Sequence, residues 1–258
     1  MRFKSLGSGS SGNAAIVEVE SAGSSTRRLL VDCGLGIKQL ESRLAAAGLQ
    51  IGDIDAVFIT HEHSDHIGCA PTLCARFNLP VWMSYGTYVA IGSPVLEGLL
   101  HLARDGETID LGALQVTPFT VPHDAKEPLQ LSCTDGNRKL AFLTDLGHAT
   151  PHVLAHIANC DALLLECNHD TALLAQSRYP AFLKSRVGGS HGHLSNDAAA
   201  EIARSVQHCG LQYLVASHLS EQNNRPDLAR QALTTALTCH VDDIVVADAK
   251  SGSPWLSL

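Results

Sequence analysis

Four residues with metal-ligating side chains, His61, His63, Asp65 and His66, fall within six positions of the stretch Thr60–Gly68, Thr-His-Glu-His-Ser-Asp-His-Ile-Gly. Imidazole nitrogens and a carboxylate oxygen crowded this closely suit zinc, manganese or iron. Divalent ions so held polarise an electrophile and acidify water, which is the chemistry of hydrolysis. The competing reading is a polar turn that happens to be histidine-rich, since the chain carries 14 histidines. Four ligand-type residues in this pattern are more than a stray pair. Just upstream, Ile54–Ile59 is a short apolar run of the kind a buried strand needs. The motif therefore lies where a strand gives way to a loop or helix, at the rim of a sheet. An extended backbone turns His61 and His63 the same way. The next segment aims Asp65 and His66 at a neighbouring point.

The elements that must hold such a site follow along the chain. Arg2–Leu6 and Ala14–Glu20 read as strands joined by a glycine–serine loop over 7–12. No Gly-Lys-Ser/Thr follows that loop, so it is not a phosphate-cradling one. Leu29–Asp32 is a short strand ending in a carboxylate. A helix with Ile37, Leu40, Leu44 and Ala47 on one face comes next, with Gly48 as its C-cap. A helix is expected from Ile67 to about Phe77, a strand over Val81–Tyr85, and a helix after Pro94 carrying Leu96, Leu99, Leu100 and Ala103. Gln115–Val121 is a strand whose Pro118 marks an edge or a bulge, and it leads into His123.

Leu129–Cys133 and Lys139–Thr144 form a hairpin across Asp135-Gly-Asn, and the second strand ends at Asp145. Pro151–Ile157 is a helix, and the buried strand that starts at Asp161 carries Glu166 near its polar end. Tyr179–Gly189 suggests no element. The loop over 188–195 bears His191 and His193, and Ser195 caps a helix with Ala199, Ile202, Ala203 and Val206 on its apolar face. Leu211–Ser217 is a strand ending in His218, followed by a helix from Pro226 to about Thr238 and the strand Ile244–Ala247. Hairpins are too frequent for a doubly wound parallel sheet. Two packed mixed sheets with helices outside fit better, and each candidate ligand follows a strand.

The 258 residues, 45% hydrophobic and 17% charged, describe one globular domain over 1–258. No apolar run approaches the roughly 18–20 residues of a membrane span. No secretory h-region follows Met1, and eight cysteines without a Cys-x-x-Cys suit reduced thiols in a cytoplasmic protein. A net charge of −8 argues against a broad basic nucleic-acid surface. Composition does not fix the oligomeric state.

The pattern His-x-His-x-Asp-His resembles the signature of the metallo-β-lactamase superfamily. Residues 5–13 and 218–224 are similar to its YycJ/WalJ-like branch, whose members are associated with exonuclease activity on DNA. The resemblance implies an α/β fold, a four-layer αβ/βα sandwich of two mixed β-sheets with helices on the outer faces. It also implies two divalent metal ions, zinc or manganese or iron. One would take His61, His63, His123 and a shared Asp145; the other Asp65, His66, His218 and the same Asp145. In that scheme Asp32 orients the metal loop and Asp65 also orients the attacking water.

The run Gly192-His193-Leu-Ser195 resembles the histidine loop of the superfamily's tRNA 3′-processing nucleases and small phosphodiesterases. There His193 would be the proton donor and Glu166 its partner, with His191 and His169 as rivals. The charge of the ions would outweigh Asp65 and Asp145 and attract a phosphodiester even to an acidic protein. The implied function is phosphodiester hydrolysis, with a DNA 5′-exonuclease foremost. A phosphodiesterase of small or cyclic nucleotides is the second enzyme reading, and a non-catalytic metal-stabilised binding module is the alternative of another class.

Overall fold

The computed structural model describes residues 1–20 and 26–258. The strands in chain order are β1 Arg2–Gly7, β2 Ala14–Val19, β3 Arg27–Val31, β4 Ala56–Phe58, β5 Val81–Met83, β6 Leu100–Leu102 and β7 Ile109–Asp110. They continue as β8 Gln115–Thr120, β9 Leu129–Thr134, β10 Lys139–Leu143, β11 Ala162–Glu166, β12 Tyr213–Ser217, β13 Ile244–Val246 and β14 Leu256–Ser257. One seven-stranded sheet has the order β14-β1-β2-β3-β4-β5-β6, the other β13-β12-β11-β10-β9-β8-β7. Both are mixed. β1 to β3 pair antiparallel and β3 to β6 parallel, while β7 to β10 pair antiparallel and β10 to β13 parallel.

Alternating side chains explain why these strands read as continuous apolar runs. Val17, Leu29, Val31 and Phe58 of the first sheet meet Leu131, Leu140, Phe142 and Leu164 of the second in the core between the sheets. Their neighbours point outward. Ile16, Leu30, Val57 and Val81 pack under Leu40 and Leu44 of helix Ile37–Ala46 and Leu73 of helix Ala70–Phe77. On the far side Leu163, Leu165 and Ala216 pack under Ile157, Ala199, Ala203 and Leu233 from the helices Pro151–Ile157, Asn196–Val206 and Pro226–Leu237. The result is a helix–sheet–sheet–helix sandwich, the architecture expected from the sequence.

Several boundaries differ from expectation. The helix expected over Ile67–Phe77 is two pieces, Ser64–Ile67 and Ala70–Phe77, because Gly68 breaks it at φ 35°. A Cβ there would lie 2.3 Å from the Cys33 carbonyl oxygen, so glycine lets two loops touch. The helix expected over Leu96–Ala103 does not form. Gly98 sits at φ 73°, and Leu100–Leu102 becomes the outer strand β6 beside β5. The helix in this region is Tyr85–Ala90, capped by Ser84, whose hydroxyl accepts from the Thr87 amide. Pro118 sits in β8 without a lost ladder bond, since its carbonyl faces Gly106 on the side away from β9. The unassigned stretch 179–189 contains the helix Ala181–Val187. All eight cysteines are free thiols.

Candidate active site

The sequence-predicted residues meet on one rim because each follows the same end of a strand. Asp32 comes directly after β3, His61 and His63 after β4, His123 after β8, Asp145 after β10 and His218 after β12, while Glu166 is the last residue of β11. Asp65 and His66 ride on the four-residue helix Ser64–Ile67. Asp32, Asp145 and His218 adopt left-handed backbone at φ 59°, 54° and 53°. Such conformations cost on the order of 1–3 kcal/mol each and cluster at functional sites. Here they turn three strand ends sharply over the rim.

Donor atoms of His61, His63 and His123 lie within 4.8 Å of one another, as do those of Asp65, His66 and His218. Asp145 stands between the two trios. Its Oδ2 is 3.1 Å from His66 Nε2, and its Oδ1 is 3.3 Å from His218 Nδ1 and 4.0 Å from His123 Nε2.

Hydrogen bonds set which ring nitrogen faces the centre. His66 Nδ1 donates to Asp32 Oδ2 at 2.8 Å, His123 Nδ1 to the Gly192 carbonyl at 3.1 Å and His218 Nδ1 to Glu166 Oε1 at 2.8 Å. His61 Nδ1 is 3.0 Å from Thr60 Oγ1. In all four Nε2 is left as the atom to ligate a metal, on His218 with the metal displacing its proton. His63 differs, its Nδ1 lying 3.3 Å from His123 Nε2.

The electrostatics fit a cation. His61 Nε2 and Asp145 Oδ2 are buried without a hydrogen-bond partner. Each such orphan costs about 1–3 kcal/mol, which coordination removes. Burial, helped by the neighbouring His66, holds the His61 imidazole well below its usual range and therefore neutral. Burial is also the largest influence on His218 and opposes its charge. The Asp145 carboxylate and hydrogen bonds to Asp65 and Glu166 outweigh it and raise His218 to about 10. At Asp145, burial again opposes the charged form, yet His218 and His66 hold the carboxyl well below its ordinary range. Carboxylates that stabilise imidazolium so strongly create the field in which a divalent cation is stable.

Asp32 does the orienting work expected of it. Its Oδ1 accepts from the Thr60 amide at 2.8 Å and the Thr60 hydroxyl at 3.0 Å, while Oδ2 holds His66. Asp32→Ala is expected to weaken metal affinity by about 10–100-fold, the usual effect of losing such a partner. Competition against a chromogenic chelator measures this. Unchanged affinity would remove the orienting role.

Glu166 is fully buried and gathers four donors. Oε1 accepts from His193 Nδ1 and His218 Nδ1, both at 2.8 Å, and Oε2 from the Leu194 amide at 3.0 Å and the Leu146 amide at 3.3 Å. Burial would raise its pKa, but His193 and the hydrogen bonds bring it down to about 2. Burial likewise disfavours charge on His193, and Glu166 and then Asp145 reverse this and raise its pKa. His193 lines a cavity of about 210 Å³ together with His63, Asp65, Asp124, Asp145 and His218. His191 is exposed and His169 is buried, and neither lines that cavity.

Sequence reasoning missed three supports. Asn13 donates from its backbone amide to the Asp65 carbonyl at 2.7 Å, and its Nδ2 lies 3.1 Å from His66 Nε2. The only signal was an asparagine closing a glycine–serine loop. Asp124, whose Oδ1 is 3.5 Å from His123 Nε2, is held by Arg186 Nε at 2.5 Å. Gly34 lies against the metal loop, where a Cβ would meet the Asp65 carbonyl oxygen at 1.7 Å. Gly34→Ala is therefore expected to destabilise the fold by about 1–3 kcal/mol and to displace Asp65. Denaturant unfolding and metal titration check this, and wild-type behaviour in both would contradict the close approach.

Strand ends of both sheets delivering histidines and aspartates to one rim is the design of the αβ/βα metallohydrolases. A family model described as the β-lactamase superfamily domain matches residues 27–219. The chain belongs to that superfamily, in its YycJ/WalJ-like branch. It is 35% identical over 242 residues to exodeoxyribonuclease YycJ of Bacillus anthracis, covering 92% of this chain and 89% of the relative. Identity to exodeoxyribonuclease WalJ of Streptococcus pneumoniae serotype 2 is 32% over 241 residues, covering 92% and 88%. The metallo-β-lactamase fold protein YhfI of Bacillus subtilis shares the fold, with a TM-score of 0.76 at 19% identity over 99% of each chain. Among the described residues no helix is long and apolar enough to cross a membrane.

Proposed function

We propose that this protein is a metal-dependent exodeoxyribonuclease that hydrolyses phosphodiester bonds from the 5′ end of DNA, acting in the cytoplasm. The observation that carries the reading is the position of His193. Its Nδ1 is 3.6 Å from Asp145 and 2.8 Å from Glu166, on the wall of the cavity that the candidate ligands line. A metal-stabilised binding module needs the ligands but has no use for a partly exposed histidine tied to a buried carboxylate beside them. The nuclease names of the relatives that align with nine-tenths of this chain support a DNA substrate.

Two divalent ions, zinc or manganese or iron, would be held by His61, His63, His123 and Asp145, and by Asp65, His66, His218 and Asp145. Such ions, when bound, supply Lewis acidity to the phosphoryl group and lower the pKa of water. The chain's own residues do the rest. Asp65, partly exposed at the cavity, orients the attacking water. Glu166 holds the His193 Nδ1 proton, so Nε2 faces the cavity and hands its proton to the leaving oxygen. As His193 gains or loses charge, the buried Glu166 carboxylate stabilises the imidazolium form. Asp32 and Asn13 keep the loop bearing His66 and Asp65 in register.

Turnover of end-labelled single- and double-stranded DNA, RNA, cyclic nucleotides and bis-p-nitrophenyl phosphate, with manganese and zinc compared, tests the proposal. Progressive loss of nucleotides from DNA 5′ ends is the expected result. Turnover of cyclic nucleotides with DNA left intact would replace it by the small-substrate reading.

A further inference from the structure

Between Asp170 and Asp197 the sequence contains no acidic residue but carries three cations, Arg178, Lys184 and Arg186. For a chain of net charge −8 this stretch is locally basic. It forms the helices Thr171–Gln176 and Ala181–Val187, and the second borders the candidate site through Leu183, Arg186 and Val187. No residue of that second helix is buried. It therefore does not serve the core.

Phe182 is 74% exposed. The other five phenylalanines pack into the hydrophobic clusters, four of them buried and Phe77 partly so. One helical turn beyond Phe182 stands Arg186, on the same face of the helix. Arg186 in turn bonds Asp124 on the cavity wall. An exposed phenyl ring thus sits one turn from the mouth of the cavity, within a stretch of sequence that is locally basic. Folding gives no reason for it, since alanine is the better helix former at an unburied position.

We propose that Phe182 is a stacking platform for a base at the single-stranded end of DNA, with Arg178, Lys184 and Arg186 following the phosphates. The proposal rests on the nuclease reading above and names how the substrate is gripped. Stacking on an aromatic face is indifferent to sequence, as an exonuclease requires, and the cations of this stretch supply attraction for the backbone on an acidic chain.

The experiment compares the wild-type protein with Phe182→Ala and Phe182→Trp. Anisotropy of a fluorescein-labelled phosphorothioate oligonucleotide reads binding, while end-labelled DNA and bis-p-nitrophenyl phosphate read turnover with manganese. Phe182→Ala should weaken oligonucleotide binding and raise KM for DNA by about 5–100-fold. Its kcat on the small ester should stay at the wild-type value, and Phe182→Trp should bind DNA as the wild type does. Lys184→Gln should reduce the slope of log affinity against log salt by about 1. Wild-type oligonucleotide binding in Phe182→Ala overturns the platform and leaves the ring to a protein or lipid partner. Equal losses on both substrates overturn it too, by assigning the ring a structural role. Wild-type protein that leaves DNA undigested tells instead against the nuclease reading, and the binding comparison still decides the platform.

Discussion

Asp145→Asn is expected to lower DNA turnover by roughly a thousand-fold or more while the fold survives, on the scale of removing a catalytic group. Asp145 alone among the candidate ligands stands between both trios, 3.1 Å from His66, 3.3 Å from His218 and 4.0 Å from His123. The amide has the same shape but no charge, and one of its ends carries donors. A buried donor in that position meets cations instead of attracting them. Asparagine also tolerates the left-handed backbone found here at φ 54°, so the substitution tests chemistry and leaves the turn intact. Metal content by mass spectrometry should fall together with activity. A variant that kept both would reject the shared-ligand arrangement.

His193→Ala is expected to cut kcat by about 10²–10⁴-fold, the range of general acid catalysis, with metal content unchanged. His193 belongs to neither trio, and its loss leaves Glu166 still holding His218 at 2.8 Å. Glu166→Gln makes the informative contrast. Its Oε1 serves His193 and His218 at once, so this change should reduce both turnover and metal affinity. The two variants thus separate proton transfer from ligand orientation. Unchanged kcat in His193→Ala, or metal loss matching the activity loss, would take the acid role from this residue.

Much of the site was legible because its residues sit at strand ends, and strands buried on both faces announce themselves as apolar runs. Asp32, His61, Asp145 and His218 each follow such a run, and His123 follows the partly exposed strand β8, so a pattern of period and punctuation located them. Asn13 and Arg186 were not legible. Their roles depend on contacts between segments far apart in the chain, 52 positions for Asn13 and Asp65 and 62 for Arg186 and Asp124, and neither terminates an apolar strand. The same reason hides β7 and β14, which are two residues long and have no room for alternation. The error after Pro94 came from Leu96, Leu99, Leu100 and Ala103, whose spacing mimics a helix. Gly98 and the free edge beside β5 decided that segment instead. Phe182 was overlooked because a helix with no buried face leaves no periodicity to read.

The donors are split between the halves of the sandwich, with His61, His63, Asp65 and His66 carried by the first sheet and His123, Asp145 and His218 by the second. Asp65 and His218, 3.4 Å apart in space, are separated by 153 positions along the chain. Closing so long a span is a slow, late event in folding. Refolding followed by metal uptake would accordingly clock the docking of the two halves, and a nascent chain would gain its hydrolytic capacity only after the second sheet has emerged.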